Sequence, residues 1–294
     1  MKQLELRGCG TALVTPFTNN GAEVDYQALE ALVDRQVAAG MDFLAPLGTT
    51  AETPCLSRDE RVKILQLVRE RAKCPLVVGA GSNSLSGTLE NMKLLEPYGP
   101  DAFLIVVPFY NKPNQKGLYQ YFKAVAEATD KAIVLYNVPG RTGANLDADT
   151  TLQLAEIDNI VAIKEASGRY AQISQIIRNR PAGFSVLSGN DDETLSLMAT
   201  GGDGIVSVAS NVDPVRMVAL ARALARDDMK TARELHYKLM PLFKNCFVES
   251  NPIPAKAALA LMGLIQDELR LPLVSANDNT KMLLTDTLRE LELL

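Results

Sequence analysis

The sequence predicts an α/β protein: a (β/α)8 barrel with a C-terminal helical extension. Three observations lead there. Eight short apolar runs rich in Val, Ile and Leu recur between residues 10 and 209. Segments with the helical period lie between them. The rhythm then stops after about residue 226, giving way to helical patterns alone.

The runs cover residues 10–17, 42–48, 75–81, 102–108, 132–138, 160–166, 184–189 and 204–209. They are nearly continuous rather than alternating, as parallel strands buried on both faces require. Residues 26–39, 58–73 and 118–128 carry the helical period between them. Asp25 and Ser57 stand as N-caps, and Glu60, three residues after Ser57, completes a capping-box pattern. Eight strand–helix repeats suit a closed barrel. A doubly wound open sheet is the alternative, and such sheets often carry a glycine turn that cradles phosphate. Gly79-Ala80-Gly81-Ser82-Asn83-Ser84 has only the first two of the three glycines, so a tight strand-to-helix turn describes it better. Residues 229–247, 254–262 and 279–292 read as helices. The expected division is a catalytic barrel over residues 1–226 and an extension over 227–294.

The bulk numbers exclude several classes of function. The chain has 294 residues, a formal net charge of −5, 47% apolar and 22% charged residues. No basic stripe marks a nucleic-acid partner. No apolar run is long enough to span a membrane, and no secretory signal is expected from the opening residues. Cys9, Cys55, Cys74 and Cys246 lie far apart without a C-x-x-C pair, which suits free thiols in a reducing cytoplasm. The single histidine, His236, sits in a helical stretch and reads as an ordinary helix residue. A catalytic triad or a histidine-rich metal site therefore has little to draw on, and no metal is expected. Chemistry falls to Lys, Tyr, Thr, Arg and carboxylates.

In a barrel these belong at the C-terminal ends of strands. Lys164 stands out. Side chains alternate along a strand, so Ala162, Lys164 and Ala166 share one face, with room beside the lysine for a small substrate. A buried lysine is either paired with a carboxylate or is a nucleophilic amine made partly neutral by desolvation, and both readings stand on the residues alone. Tyr136, ending the fifth run, is a proton relay or a core aromatic. Arg141 follows the Pro139-Gly140 turn near the expected mouth, as a carboxylate clamp or a solvated surface arginine. Thr49 and Thr50 suit hydrogen bonding to a carboxylate, or a turn.

Gly48-Thr49-Thr50-Ala51-Glu52, Tyr136-Asn137-Val138-Pro139-Gly140-Arg141-Thr142-Gly143 and Ile163-Lys164-Glu165-Ala166-Ser167-Gly168 together resemble signatures of the dihydrodipicolinate synthase/N-acetylneuraminate lyase family. Pro108-Phe109-Tyr110-Asn111-Lys112-Pro113 and Asn251-Pro252-Ile253-Pro254-Ala255-Lys256 fit as well, and the likeness runs in order from Gly10 to Leu273. The resemblance implies a (β/α)8 barrel, a homotetramer, and a class I aldolase without cofactor, whose lysine, here Lys164, forms an imine with pyruvate. It implies Tyr136 as proton relay, Thr49 and Thr50 as the threonine pair, and Tyr110 reaching a neighbouring subunit's relay. It also implies that Gly189 and Val206 line the pyruvate pocket. Arg141 matches the branch that condenses pyruvate with L-aspartate 4-semialdehyde to 4-hydroxy-tetrahydrodipicolinate in lysine biosynthesis. The alternatives are a sibling aldolase acting on a sugar acid, such as N-acetylneuraminate or a 2-keto-3-deoxy acid, and a non-catalytic binder on the same barrel. One departure is Ala51, where the family mostly has glycine; a positive φ there would strain the threonine loop. A second concerns feedback: lysine-inhibited members carry a histidine, a glutamate and a tyrosine at positions matching Arg61, Gly87 and Phe109, whereas Asn83 does match. Little or no inhibition by lysine is expected.

Overall fold

The structure is a computed structural model that describes residues 4–294. Eight parallel strands form one sheet: Gly8–Ala12, Phe43–Ala45, Val77–Gly79, Ala102–Val106, Ala132–Asn137, Ile160–Glu165, Ser185–Ser188 and Gly204–Ser207. First and last strands pair in register, Gly10 opposite Val206, and a bridge between Leu44 and Leu76 joins strands two and three. The sheet thus comes round on itself as a barrel, with helices between its strands. Every strand residue from Ile160 to Glu165 is buried, because barrel side chains cover one face and helices the other.

The glycine turn answers the open-sheet alternative. A Cβ on Gly79 would sit 2.0 Å from the Leu47 carbonyl oxygen, and the Gly79 N–H donates to the Pro46 carbonyl at 2.9 Å. Glycine is needed there so that two backbones can approach.

Strand one differs from its expected bounds of 10–17. It ends at Ala12, and Phe17–Thr18 instead pairs antiparallel with Glu23–Val24 in a separate hairpin. Pro16 lacks the N–H that a ladder needs, and its carbonyl accepts from the Asp25 N–H at 2.9 Å as the chain turns into its first helix. Strand two likewise stops at Ala45, before Pro46. The caps hold as expected. The Asp25 carboxylate accepts from the Ala28 N–H, and Ser57 and Glu60 exchange both bonds of the capping box, opening helices Tyr26–Ala38 and Arg58–Arg71.

Beyond the last barrel helix, Pro214–Ala225, come three more: Met229–Asn245, Ile253–Leu261 and Asp278–Glu290. His236 lies within the first of them, edge-on to Tyr237. Among the described residues, no three His, Cys, Asp or Glu side chains gather where they could hold a metal ion. No helix there is long and apolar enough to cross a membrane.

Candidate active site

Lys164 lies on strand Ile160–Glu165 and is only 5% exposed. It is in register with Tyr136 on one side and Leu187 on the other. Leu187 in turn pairs with Gly204, two residues before Val206, so strand alternation puts Val206 in the same inward set. Nζ of Lys164 stands 4.4 Å from the centre of the Tyr136 ring. Lys164 makes no ion pair among the described residues. The other buried lysine, Lys256, lies 2.6 Å from the Glu52 carboxylate. Of the two readings open for a buried lysine, Lys256 is therefore the structural case.

Gly189 supplies clearance. A Cβ there would lie 2.6 Å from the Ala166 methyl, 3.0 Å from Cε of Lys164 and 3.2 Å from its Cγ. Any side chain at this position would take the space beside the amine.

Thr50 is buried and Thr49 exposed, within a short 3-10 turn after strand two. Ala51 does not strain this turn: it is not among the residues of positive φ, and the left-handed position falls on Glu52, at φ +53°. The Ala51 carbonyl accepts from the Thr15 hydroxyl at 2.9 Å, which fixes the turn to the segment that follows strand one.

Arg141 is exposed on the turn after strand five. Its Nη2 donates to the Asn251 carbonyl at 3.4 Å, and Nδ2 of Asn251 donates to the Thr50 hydroxyl oxygen at 2.9 Å. Oδ1 of Asn251 is buried without a hydrogen-bond partner among the described residues. Asn251 is the residue that sequence reasoning missed. Its motif stood in the resemblance without a role, because 201 positions separate it from Thr50. Tyr110 is 88% exposed at φ +75°, on the loop after strand four, where its N–H donates to the carbonyl of Thr142, next to Arg141.

Two buried carboxylates complete the surroundings. Glu165, on the opposite face of the strand from Lys164, accepts from Asn137, Gln172 and the Ser167 N–H; burial pushes its carboxyl up and those bonds hold it down. Asp191, just past Gly189, accepts from the Ser207 hydroxyl and the Val208 and Ala209 N–H groups. Burial raises its carboxyl, and those donors, with the more distant Lys164, oppose the rise. Glu165 locks strand six to the helical layer, and Asp191 ties the seventh strand's end to the eighth's.

The geometry thus joins Lys164, Tyr136 and Gly189 by direct approach, and Thr50 to Arg141 through Asn251. Such a set can carry a covalent imine, a phenol beside it for proton transfer, and a cation at the rim for an anionic substrate.

Comparison with known proteins agrees. The model of the dihydrodipicolinate synthetase family matches residues 5–291. The 4-hydroxy-tetrahydrodipicolinate synthase of Koribacter versatilis is 50% identical, over 92% of this chain and 91% of its own. The crystal structure of dihydrodipicolinate synthase from Thermotoga maritima superposes with a TM-score of 0.96 at 47% identity, covering 99% of this chain and 100% of its own. The chloride-inhibited dihydrodipicolinate synthase of Acinetobacter baumannii, solved in complex with pyruvate, reaches 0.95 at 38% identity over 98% and 99%. With nearly its whole length matched, this chain belongs to the dihydrodipicolinate synthetase family.

Proposed function

We propose that this protein condenses pyruvate with L-aspartate 4-semialdehyde to 4-hydroxy-tetrahydrodipicolinate, serving lysine biosynthesis, with Lys164 as the covalent nucleophile. The observation that carries the reading is Lys164 itself: buried, free of any ion pair among the described residues, beside the Tyr136 ring, with glycine at 189 keeping space open next to it. A lysine retained there without a carboxylate has no structural reason to be charged and buried.

The steps follow from this chemistry. The Lys164 amine adds to the pyruvate ketone carbon, and water leaves to give an imine. Loss of a methyl proton gives an enamine, whose carbon attacks the aldehyde of the second substrate. The product's own amino group then attacks the imine carbon, closing the ring and expelling the Lys164 amine. The imine is the electron sink, so the scheme calls for no metal or organic cofactor. Tyr136 is the proton relay, with Thr49 and Thr50 as its threonine pair; the Thr50 hydroxyl oxygen accepts the Asn251 amide and so keeps its own O–H to donate to a substrate carboxylate. Thr49 belongs to the same turn. Val206 and Gly189 bound the pyruvate pocket, and Arg141, with one N–H spent on the Asn251 carbonyl, offers the rest to the carboxylate of the aldehyde substrate.

Tyr110, nearly fully exposed on the loop after strand four, is assigned to a neighbouring copy's relay, with a homotetramer as the working form. The four cysteines are free, in keeping with the cytoplasm. In this scheme the catalytic barrel is assigned to residues 1–226, of which 4–226 are described, and the extension, 227–294, contributes Asn251.

The test is borohydride reduction in the presence of pyruvate. One pyruvyl adduct per chain is expected, on Lys164, and none in Lys164→Ala. An adduct that maps elsewhere or survives the substitution overturns the mechanism. A coupled assay comparing aspartate semialdehyde with sugar acids then separates this reading from sugar-acid cleavage.

A further inference from the structure

Directly beyond Lys164 and Tyr136, on the other face of the same two strands, lies a buried polar contact that the chemistry above leaves unused. Asn137 stands in register with Glu165, one residue after Tyr136 stands in register with Lys164. Both side chains are fully buried. Nδ2 of Asn137 lies 3.2 Å from each Glu165 carboxylate oxygen. Oδ1 of Asn137 accepts the Leu146 N–H at 3.0 Å. Glu165 also accepts the Ser167 N–H at 2.8 Å and Nε2 of Gln172 at 3.1 Å. The contact thus ties strand five to strand six, and strand six to helix Tyr170–Asn179 outside them.

The ladder between these strands carries an irregularity. Ile133 lies opposite Ile160, but Val134 lies opposite Ala162, so Val161 is an extra residue on strand six. Continued without it, the same ladder would set Tyr136 opposite Ile163 and turn Lys164 to the other face from Tyr136. The apolar residues do not choose between the two registers. Residues 132–135 and 160–163 are apolar throughout, as burial on both faces requires, so a shift by one exchanges one apolar side chain for another. Asn137 and Glu165 do choose, because the same shift would put them on opposite faces and part the amide from the carboxylate. Each would then stay buried without the other, at the cost of a lost hydrogen bond to a charged group. A buried polar contact whose members are satisfied specifies one arrangement of the elements that carry it.

We propose that Asn137 and Glu165 are positioning residues that fix the register of strands five and six at the site, and so hold Tyr136 beside Lys164. The inference rests on the reading of Lys164 as nucleophile and Tyr136 as its proton relay. Borohydride trapping of the wild-type protein with pyruvate comes first, and a failure to trap overturns both. Next, kcat and the pyruvate KM are measured for Asn137→Thr, for Tyr136→Phe and for the two combined, with a thermal melt for each. Threonine suits a strand, and its shorter side chain gives up the contact while leaving Glu165 its Ser167 and Gln172 donors. The expected Asn137→Thr protein melts cooperatively and still traps pyruvate on Lys164. Its pyruvate KM is little changed and its kcat is reduced about 10- to 100-fold, the scale of a small misplacement. In the Tyr136→Phe background the same substitution is expected to cost less than about 2-fold further, because groups that act as one unit are not additive. A loss that came from general loosening of the barrel would instead be the same factor in both backgrounds. A wild-type kcat in Asn137→Thr, or losses that multiply, with trapping intact, overturns the inference alone. Should Asn137→Thr not fold, Asn137→Ser, which adds no branched side chain to the packed layer, goes through the same cycle under the same criteria.

Discussion

Lys164 and Tyr136 face each other from adjacent parallel strands, their Cα positions in register and Nζ of Lys164 4.4 Å from the centre of the phenol ring. The contact is with the ring face, which phenylalanine would preserve; the hydroxyl is free for another task. Tyr136→Phe is therefore expected to keep pyruvate binding nearly unchanged while lowering kcat about 100-fold or more, the usual cost of losing a general acid–base. Steady-state kinetics with both substrates checks this. A near-normal kcat would return Tyr136 to the role of a core aromatic.

Gly189 makes a sharper demand on space than any other residue of the site. Gly189→Ala places a methyl 2.6 Å from that of Ala166 and 3.0 Å from Cε of Lys164. Overpacking of this kind costs about 1–3 kcal/mol, so apparent pyruvate affinity is expected to fall roughly 5- to 150-fold. The rate of borohydride trapping at graded pyruvate concentrations measures it. Unchanged trapping would mean that pyruvate does not use the space beside the amine.

Arg141 should separate the two substrates. Arg141→Ala is expected to raise the KM for aspartate semialdehyde roughly 10- to 150-fold, as loss of a charge-assisted pair worth about 1.5–3 kcal/mol predicts, and to move the pyruvate KM far less. Equal effects on both would assign Arg141 to the Asn251 carbonyl, which it already touches, rather than to a substrate carboxylate.

Feedback by lysine is expected to be weak or absent. The position where inhibited relatives of the resemblance carry glutamate is Gly87, and here a Cβ would lie 2.8 Å from the Ser82 hydroxyl and 3.0 Å from that of Ser84. Arg61 is occupied by the Leu56 and Thr53 carbonyls and the Asn91 side chain, and it adds a like charge where a ligand ammonium would sit. A desolvated ammonium without an anionic partner forfeits about 2–5 kcal/mol. A steady-state assay with lysine up to several millimolar decides the matter; half-inhibition below about one millimolar would show that another residue replaces the lost carboxylate.

Alternation along 160–166 was enough to turn Lys164 inward between two alanines, because the side-chain direction of a strand is a local property with a period of two. The capping box at Ser57 and Glu60 was equally local, and so were the eight apolar runs, since burial on both faces leaves each strand mostly apolar. What the sequence could not say was which buried lysine had a carboxylate. Glu165 is adjacent to Lys164 and points away, whereas Glu52 meets Lys256 across 204 positions. The same distance in the chain hid Asn251 from Thr50. The end of strand one was also out of reach, because residues 10–17 form one nearly continuous apolar run, and only the pairing of Phe17 with Val24 in a separate hairpin shows that its last part leaves the barrel. Periodicity records which face of an element is buried. Pairing between elements brought together by the barrel's closure is a property of the folded backbone alone.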